Sequence, residues 1–407
     1  SPGVPEAKSF TLTLDDGAGN THTITSVVTV NHVNSSPAIG TLAVVAAEPG
    51  VVYSYTITTT DADNDVPTLS SGTLPNWLTL TDNGDGTATL AGTPSEADLG
   101  MQDIVLTAND GTSVSSNNSA TQSFTIKVSK HPSGSGAESD PYLIATLGEL
   151  YWLSQASSEW ASGKHYVQTA DIDASTTSLL DNGAGWTPLG NSSTNFKANY
   201  DGGGHVISGL FINRPTVTNV SFIGYGTGKI SNLGLENVNI TGKGSTAGFI
   251  ARGSGVTIDK CYVTGTVKGN GDGVGGFMNR SSGTVSISNC YSRASVTGTN
   301  GAVGGFLGYG DNGSATIINC YSTGSVSAGW MYAGFAGFTG PTYSNSFWDM
   351  ESSGQTNGQY QGALPGVTGK TSSEMQTAST FTDAGRLQSV NEGDTVVLYS
   401  GWSPSDW

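Results

Sequence analysis

Residues 37–130 show short runs in which apolar and polar positions alternate. The run at 51–57 places an apolar residue at every second position, which is the period of a half-buried strand. Similar runs at 104–108 and 124–128 are separated by turn clusters rich in Asp, Asn and Gly. Short strands with turn signals between them predict a β-sandwich over residues 37–130.

A second pattern repeats farther along the chain. A phenylalanine recurs every 27 to 29 residues, at Phe222, Phe249, Phe277, Phe306 and Phe335. A Cys-Tyr pair recurs with it, ending at Tyr262, Tyr291 and Tyr321. The repeats are rich in Gly, Ser, Thr, Asn and Val and show no helical period, which indicates short strands and tight turns. Units of this length bury their apolar face only against neighbouring copies, so the pattern predicts a parallel β-solenoid.

One helical pattern precedes the repeats, near residues 147–161. Thr146 and Glu149 have the spacing of a capping box, and the apolar residues that follow recur at helical spacing through Trp160. A helix in front of a solenoid is typical of an end cap that covers the open edge of the first coil.

The first residues repeat the pattern that closes the sandwich. Residues 10–17 mirror 103–111, and residues 26–30 mirror 124–128. We therefore expect residues 1–36 to be the C-terminal hairpin of a preceding sandwich copy, cut from a tandem array.

The expected organisation then has five parts. Residues 1–36 are the partial copy and 37–130 the sandwich. Residues 131–139 are a linker, and 140–386 are the solenoid with its capping helix. Residues 387–407 are a C-terminal strand or the start of another module.

Two resemblances follow from particular phrases. Residues 38–128 contain, in order, a Tyr-x-Tyr strand, DADND, LPNWL, LAGTP and an ANDG corner. With these the segment resembles the dystroglycan-type cadherin-like and immunoglobulin domains of bacterial surface proteins. Residues 138–383, with repeated GGF and NCY phrases, SFWD and KTSSEM, resemble the GLUG-motif proteins, a right-handed β-helix group. The resemblances imply an all-β chain: a cadherin/Ig-like sandwich followed by a right-handed parallel β-helix, secreted or on the cell surface.

Composition narrows the classes of partner. The formal net charge of −17 argues against nucleic acid, whose phosphates need Lys and Arg. The sequence has no apolar run long enough to cross a membrane. Acidity suits a secreted protein that holds Ca²⁺, although solubility alone would explain it equally well. The three Cys fall on the repeat, where stacked side chains are too far apart for an unstrained disulfide, so we expect a buried core ladder.

The acidic residues of the sandwich form a candidate calcium site. Asp61, Asp63 and Asp65 alternate along one loop, while Asp110 and Glu48 are further candidates. Hard oxygen ligands are those that Ca²⁺ selects, and the cadherin-like resemblance implies ions that stiffen the joint between domains. The alternative is that these residues only cap turns.

A candidate ligand-binding stripe lies three residues after each marker phenylalanine. Its members are Tyr225, Arg252, Arg280, Tyr309 and Phe338. Aromatic faces stack on sugar rings, and Arg binds carboxylates or sulfates in a fork. The alternative is cation–π stacking on a solvated face. The residue just after each phenylalanine is also apolar, so we expect a bend there.

Extracellular adhesion is the function that these features favour, with a glycan or cell-surface ligand on the β-helix and neighbouring domains of the same chain as partners. A purely structural stalk is one alternative. The other is a polysaccharide lyase or glycosidase, since β-helices host such enzymes. The candidate carboxylates Asp201, Asp259, Asp272, Asp311 and Asp349 are scattered, whereas a glycosidase needs a close pair.

Overall fold

The computed structural model describes residues 6–30, 34–111, 118–311, 315–338 and 340–376. It divides into two units, Ser1–Val128 and Ser129–Trp407. The strands described in the first unit are β1 Glu6–Asp15, β2 Thr21–Val30, β3 Ala38–Ile39, β4 Ala46–Ala47, β5 Tyr53–Thr60, β6 Thr68–Ser71, β7 Leu78–Asp82, β8 Thr87–Gly92, β9 Gly100–Asn109 and β10 Ser119–Val128. A 3₁₀ turn at Glu96–Asp98 precedes β9.

Two four-stranded sheets form the predicted sandwich, in the orders β3-β5-β8-β7 and β4-β10-β9-β6. Along β5, buried and exposed residues alternate, because one face packs on the core and the other meets solvent. The core includes Tyr55, Ile57, Leu90, Leu106 and Ile126, all at most 2% exposed. The all-β fold that the alternating runs predict is confirmed for this unit.

β1 and β2 form a separate two-stranded sheet. Ten residue pairs join them antiparallel, from Glu6 with Val30 to Asp15 with Thr21. The residues of this hairpin whose burial is described are exposed on both faces.

The second unit contains the helices α1 Leu147–Gln155, α2 Met350–Ser353 and α3 Ser372–Met375, and 3₁₀ turns at Ser157–Trp160 and Ser175–Gly183. Its described strands are β11 Tyr142–Ile144, β12 His165–Gln168, β13 Ile172–Asp173, β14 Asn199–Asp201, β15 Val206–Ser208, β16 Phe211–Val220, β17 Ile223–Gly226, β18 Lys229–Ser231, β19 Gly234–Ala247, β20 Ile250–Ser254, β21 Thr257–Asp259, β22 Tyr262–Gly269, β23 Val274–Gly275, β24 Met278–Ser282, β25 Ser286–Ser288, β26 Tyr291–Gly298, β27 Val303–Gly304, β28 Leu307–Gly310, β29 Thr316–Ile318, β30 Tyr321–Ser322, β31 Val326–Ala328, β32 Tyr332–Ala333, β33 Ala336–Phe338, β34 Thr342–Ser344, β35 Ser346–Asp349 and β36 Val367–Lys370.

Three parallel sheets make up the β-helix. One runs β11-β12-β14-β18-β21-β25-β29-β34, a second runs β17-β20-β24-β28-β33, and the third has thirteen strands centred on β19, β22 and β26. Their ladders are parallel throughout. The predicted solenoid is therefore confirmed as a β-helix, and the right-handed sense expected for it is that of nearly all parallel crossovers.

The repeat columns fill the interior. Phe249, Phe277, Phe306 and Phe335 stack at 4.8 to 5.0 Å between ring centroids, and each has no solvent exposure. The three cysteines are free and buried, and burial raises the pKa of the Cys261 and Cys290 thiols. They form the core ladder that their spacing predicts.

The helix in front of the coils starts as its capping box predicts. The backbone N–H of Thr146 donates to Glu149 Oε2 at 3.1 Å, and that of Glu149 donates to Thr146 Oγ1 at 3.4 Å. The α-helix ends at Gln155, short of the predicted residue 161, because Ala156 leaves helical geometry at φ −96° and ψ 64°. Trp160 still packs inside, and its indole N–H donates to the Leu153 carbonyl at 2.8 Å. Residues 387–407 lie outside the described residues.

Candidate functional site

The five residues of the predicted stripe lie in register on the sheet β17-β20-β24-β28-β33. The ladder pairs Tyr225 with Arg252, Arg252 with Arg280, Arg280 with Tyr309, and Tyr309 with Phe338. Strands in such a sheet lie about 4.8 Å apart, so the side chains follow one another along the β-helix at that spacing. We call this set the Tyr-Arg column.

The column faces outward. Side-chain exposure is 38% for Arg280, and Phe338 is 41% exposed. By contrast, Ile223, Ile250 and Met278 on the same strands are fully buried, as is each preceding phenylalanine. Two adjacent buried columns mean that the chain bends between one sheet and the next, as the apolar pattern predicts.

Aromatic and guanidinium groups stack along the column. The guanidinium carbon of Arg252 lies 5.4 Å from the ring centroid of Tyr225, and that of Arg280 lies 5.2 Å from Tyr309. The rings of Tyr309 and Phe338 are 4.9 Å apart and nearly parallel, at 12°. Such contacts hold the side chains in place before any ligand arrives. The alternative prediction, cation–π stacking on a solvated face that binds no ligand, is consistent with the same contacts.

The two arginines differ in what they already bind. Arg280 donates from Nε and Nη2 to the two carboxylate oxygens of Asp311, each at 3.0 Å, and this bond raises the pKa of the Arg280 guanidinium. Arg252 makes no ion pair with the described residues, and its buried Nε has no acceptor among them. Arg252 therefore retains N–H donors that have no acceptor among the described residues.

Sequence reasoning missed the role of Asp311. It sits two residues beyond Tyr309 in the same coil, so its position after an aromatic member of the column was the available signal. The pairing joins adjacent coils, since Arg280 belongs to β24 and Asp311 follows β28.

A second aromatic column lies on the largest sheet. The rings of Tyr262, Tyr291 and Tyr321 stack at 4.7 and 4.8 Å. Arg293 lies over Tyr291 at 5.1 Å and donates from Nη2 to the Tyr321 hydroxyl at 3.1 Å. The recurring Cys-Tyr pair places these tyrosines on successive coils, whereas the pattern does not single out this arginine, which follows Tyr291 by two residues.

A cavity of about 380 Å³ adjoins that second column, with Arg293, Tyr321, Asp349 and Ser372 among its lining residues. Asp349 is already engaged there. Its Oδ1 accepts the backbone N–H groups of Glu351 and Ser352 at 2.9 and 3.0 Å, and Ser372 donates to both carboxylate oxygens. The carboxylate caps α2, so its role in the described structure is to order the chain after β35.

The candidate calcium ligands gather at one end of the sandwich, with the exception of Glu48. Asp61 and Asp63 follow β5, and Asp110 follows β9. Asp63 Oδ2 accepts the backbone N–H of Ser35 at 2.7 Å, and Asp110 Oδ2 accepts the Asn34 amide at 2.8 Å. The segment 34–35 therefore connects these carboxylates.

Glu48 lies at the other end of the sandwich. It precedes β5, whereas Asp61 follows β5, and an eight-residue strand is about 27 Å long. Its neighbourhood is the turn in which Gly50 donates to the Pro94 carbonyl at 2.8 Å. The structure does not bring Glu48 to the other candidate calcium ligands.

The acidic end is partly satisfied by hydrogen bonds. Asp61 Oδ1 accepts the backbone N–H of Asp63 at 2.7 Å, as a turn-capping Asp does. Asp61 Oδ2 is buried and accepts no hydrogen bond from the described residues. Within those residues no three His, Cys, Asp or Glu side chains form a metal-binding group. The orphaned Asp61 oxygen fits a cation, because a buried carboxylate oxygen without a partner is costly.

Besides Asp349, three of the five carboxylates considered for catalysis bind the backbone or a neighbouring coil. Asp201 Oδ1 accepts from Gly203 N and from the Asn232 amide, and Asp259 Oδ1 accepts from Ser288 and the Asn289 amide. Asp311 binds Arg280, as described above. These three carboxylates stabilise turns and coil stacking.

Comparison with known proteins finds a family match for the sandwich. Residues 36–129 match the family described as Putative Ig domain. Halomucin of Haloquadratum walsbyi is 32% identical over 150 residues, which cover 36% of this chain. The chain spans only 2% of the length of halomucin. The GLUG resemblance of the β-helix stays a prediction.

Solved structures align only weakly. The endo-fucoidan hydrolase MfFcnA4 of glycoside hydrolase family 107 has a TM-score of 0.20 and 20% identity, over 35% of this chain and 23% of the hydrolase. The SrpA adhesin of Streptococcus sanguinis has a TM-score of 0.21, with 16% identity over 28% of this chain and 66% of the adhesin. Neither likeness carries a conclusion about activity. Among the described residues, no helix is long and apolar enough to span a bilayer.

Proposed function

We propose that this chain is an extracellular adhesion module of a bacterial surface protein, and that the β-helix binds a glycan along its Tyr-Arg column. The observation that carries the proposal is the register of the column. Aromatic faces and guanidinium groups follow one another on successive coils and are partly exposed. Sugar rings stack on the aromatic faces, and carboxylate or sulfate groups bind the arginines.

Arg252 is the main anion-binding residue in this proposal. Its guanidinium carries no carboxylate partner among the described residues, whereas a ligand must compete with Asp311 for Arg280. A partly buried guanidinium that is already stacked on Tyr225 loses less side-chain freedom on binding than a mobile one.

Affinity electrophoresis in gels that contain heparin, polygalacturonate or a neutral glucan tests this proposal. We expect retardation by one polysaccharide, and loss of that retardation in Arg252→Ala with Arg280→Ala. Lys229→Ala with Lys268→Ala is the matched control, because it removes two exposed positive charges from other sheets. If both double variants lost the retardation equally, net charge would explain the retardation, and a dedicated binding site would be contradicted.

We further propose that the sandwich is a spacer stiffened by Ca²⁺ held by Asp61, Asp63, Asp65 and Asp110. Support comes from the shared end of the sandwich and from the orphaned Oδ2 of Asp61. Bound Ca²⁺ would supply the positive charge that this oxygen lacks. The thermal unfolding temperature of the native chain, followed by circular dichroism, should rise with added Ca²⁺ and then saturate. An unfolding temperature that Ca²⁺ does not change, with no heat of binding by calorimetry, would contradict the calcium proposal.

A further inference from the structure

The exposed β1–β2 hairpin has the geometry of the hairpin that closes the sandwich. β1 and β2 are joined by ten pairs that run from Glu6–Val30 to Asp15–Thr21. β9 and β10 are likewise joined by ten pairs, from Gly100–Val128 to Asn109–Ser119. Glu6 is thus equivalent to Gly100, and each later residue of β1 is equivalent to the residue 94 positions on.

The turns of the two hairpins agree in their hydrogen bonds. Asp15 Oδ1 accepts the N–H of Gly17 at 2.8 Å, and Asn109 Oδ1 accepts that of Gly111 at 2.7 Å. Both glycines have positive φ, 72° and 80°, a region that glycine adopts without strain. The agreement covers strand length, register and turn, so the equivalence does not depend on sequence similarity alone.

Burial at equivalent positions is opposite. Ile104, Leu106 and Ala108 are at most 1% exposed in the sandwich core. Their equivalents on β1 are Phe10, Leu12 and Leu14, which are 61%, 61% and 59% exposed. On the second strand, Ile126 is buried and its equivalent Val28 is 47% exposed. The hairpin therefore presents the apolar face that its counterpart hides.

A two-stranded hairpin with such a face is at best marginally stable alone. Its open edges are also free to pair with further strands. In the sandwich, the missing elements are supplied by residues 34–99, which contain β3 to β8. These strands provide the facing sheet and β6, which pairs with β9.

We infer that the β1–β2 hairpin is an interaction surface for an Ig-like partial sandwich of the kind that residues 34–99 form, and that this partner covers Phe10, Leu12 and Leu14. The two together make one complete sandwich of the kind that residues 34–128 form. This surface is separate from the Tyr-Arg column and does not depend on the proposed function.

The test is a graft that supplies this partner. A second copy of residues 34–99 is placed directly before Glu6 of the full chain, so that the new junction imitates Leu99–Gly100. We expect amide hydrogen exchange in β1 and β2 to slow at least 100-fold, and one additional cooperative unfolding transition to appear. Phe10→Asp should abolish both effects. Thr11→Asp should leave them, because Thr11 is equivalent to the outward-facing Val105, which is 44% exposed.

A second graft, residues 34–128 placed before Glu6, controls for folding of the added copy with its own hairpin. If that copy folds while the shorter graft stays unfolded with rapid exchange in β1 and β2, the inference is overturned. Sedimentation of the ungrafted chain tests whether a second copy of the chain covers the apolar face of the hairpin instead. A dimer that Phe10→Asp dissociates would show that the face pairs with a second copy, which would also overturn the assignment.

Discussion

Lys260 interrupts a column of asparagines at one corner of the β-helix, and replacing it should stabilise the fold. Asn232, Lys260, Asn289, Asn319 and Asn345 all have φ between 46° and 55°. This left-handed region costs most L-residues about 1–2 kcal/mol, and Asn is among the few that visit it routinely. The Asn319 amide donates to Asn289 at 3.1 Å, and the Asn345 amide donates to Asn319 at 3.4 Å, so neighbouring members also bind one another.

Lys260→Asn should therefore raise the free energy of unfolding by about 1 kcal/mol. For a unit of 150 to 250 residues this corresponds to about 2–4 °C in Tm. Thermal unfolding followed by circular dichroism measures it. Lys229→Asn is the control: it places Asn at an exposed position of strand β18, where Asn is disfavoured, so no gain is expected. A Tm for Lys260→Asn that is unchanged or lower would refute the reasoning.

Three further predictions concern ions, thiols and pH. Asp61→Ala with Asp63→Ala should lower the Tm of the sandwich more in Ca²⁺ than in EDTA, where only the hydrogen bonds to Asp63 N and Ser35 N are lost; an equal loss in both conditions would refute the calcium proposal. A thiol reagent such as DTNB should label Cys261 and Cys290 only after unfolding, because burial raises the pKa of both thiols. Labelling of the native chain would contradict the buried cysteine ladder. Burial also raises the pKa of Tyr53 from 10.0 to about 12. The stability that the neutral phenol contributes is complete below pH 10 and is lost as pH rises through 12. Denaturant unfolding of the sandwich should therefore give a lower free energy of unfolding at pH 11 than at pH 9, and Tyr53→Phe should reduce this difference.

The sequence predicts the repeat columns because residues one repeat apart in sequence lie side by side on adjacent coils of a parallel β-helix. Residues 28 or 29 apart, such as Arg252 and Arg280, become neighbours across one parallel ladder. The outward direction of the Tyr-Arg column follows from the same register, once the buried positions beside it are known. Sequence spacing therefore predicts which residues of the candidate site lie next to one another.

Placement outside the repeats depends on topology that spacing does not contain. Glu48 and Asp61 are close in sequence, yet β5 separates them by its whole length. The pairing of Arg280 with Asp311 joins two coils through a turn residue, for which the sequence gives only a position two residues after Tyr309. The end of α1 is set by the conformation of Ala156, although the apolar pattern continues to Trp160.

The most direct test of the account is a glycan-array screen of the full chain in millimolar Ca²⁺, with and without EDTA. The account predicts reproducible binding to one glycan class, lost in Arg252→Ala with Arg280→Ala and retained in Lys229→Ala with Lys268→Ala. A blank array from a normally folded protein would contradict the glycan-binding claim and leave the β-helix as a structural stalk.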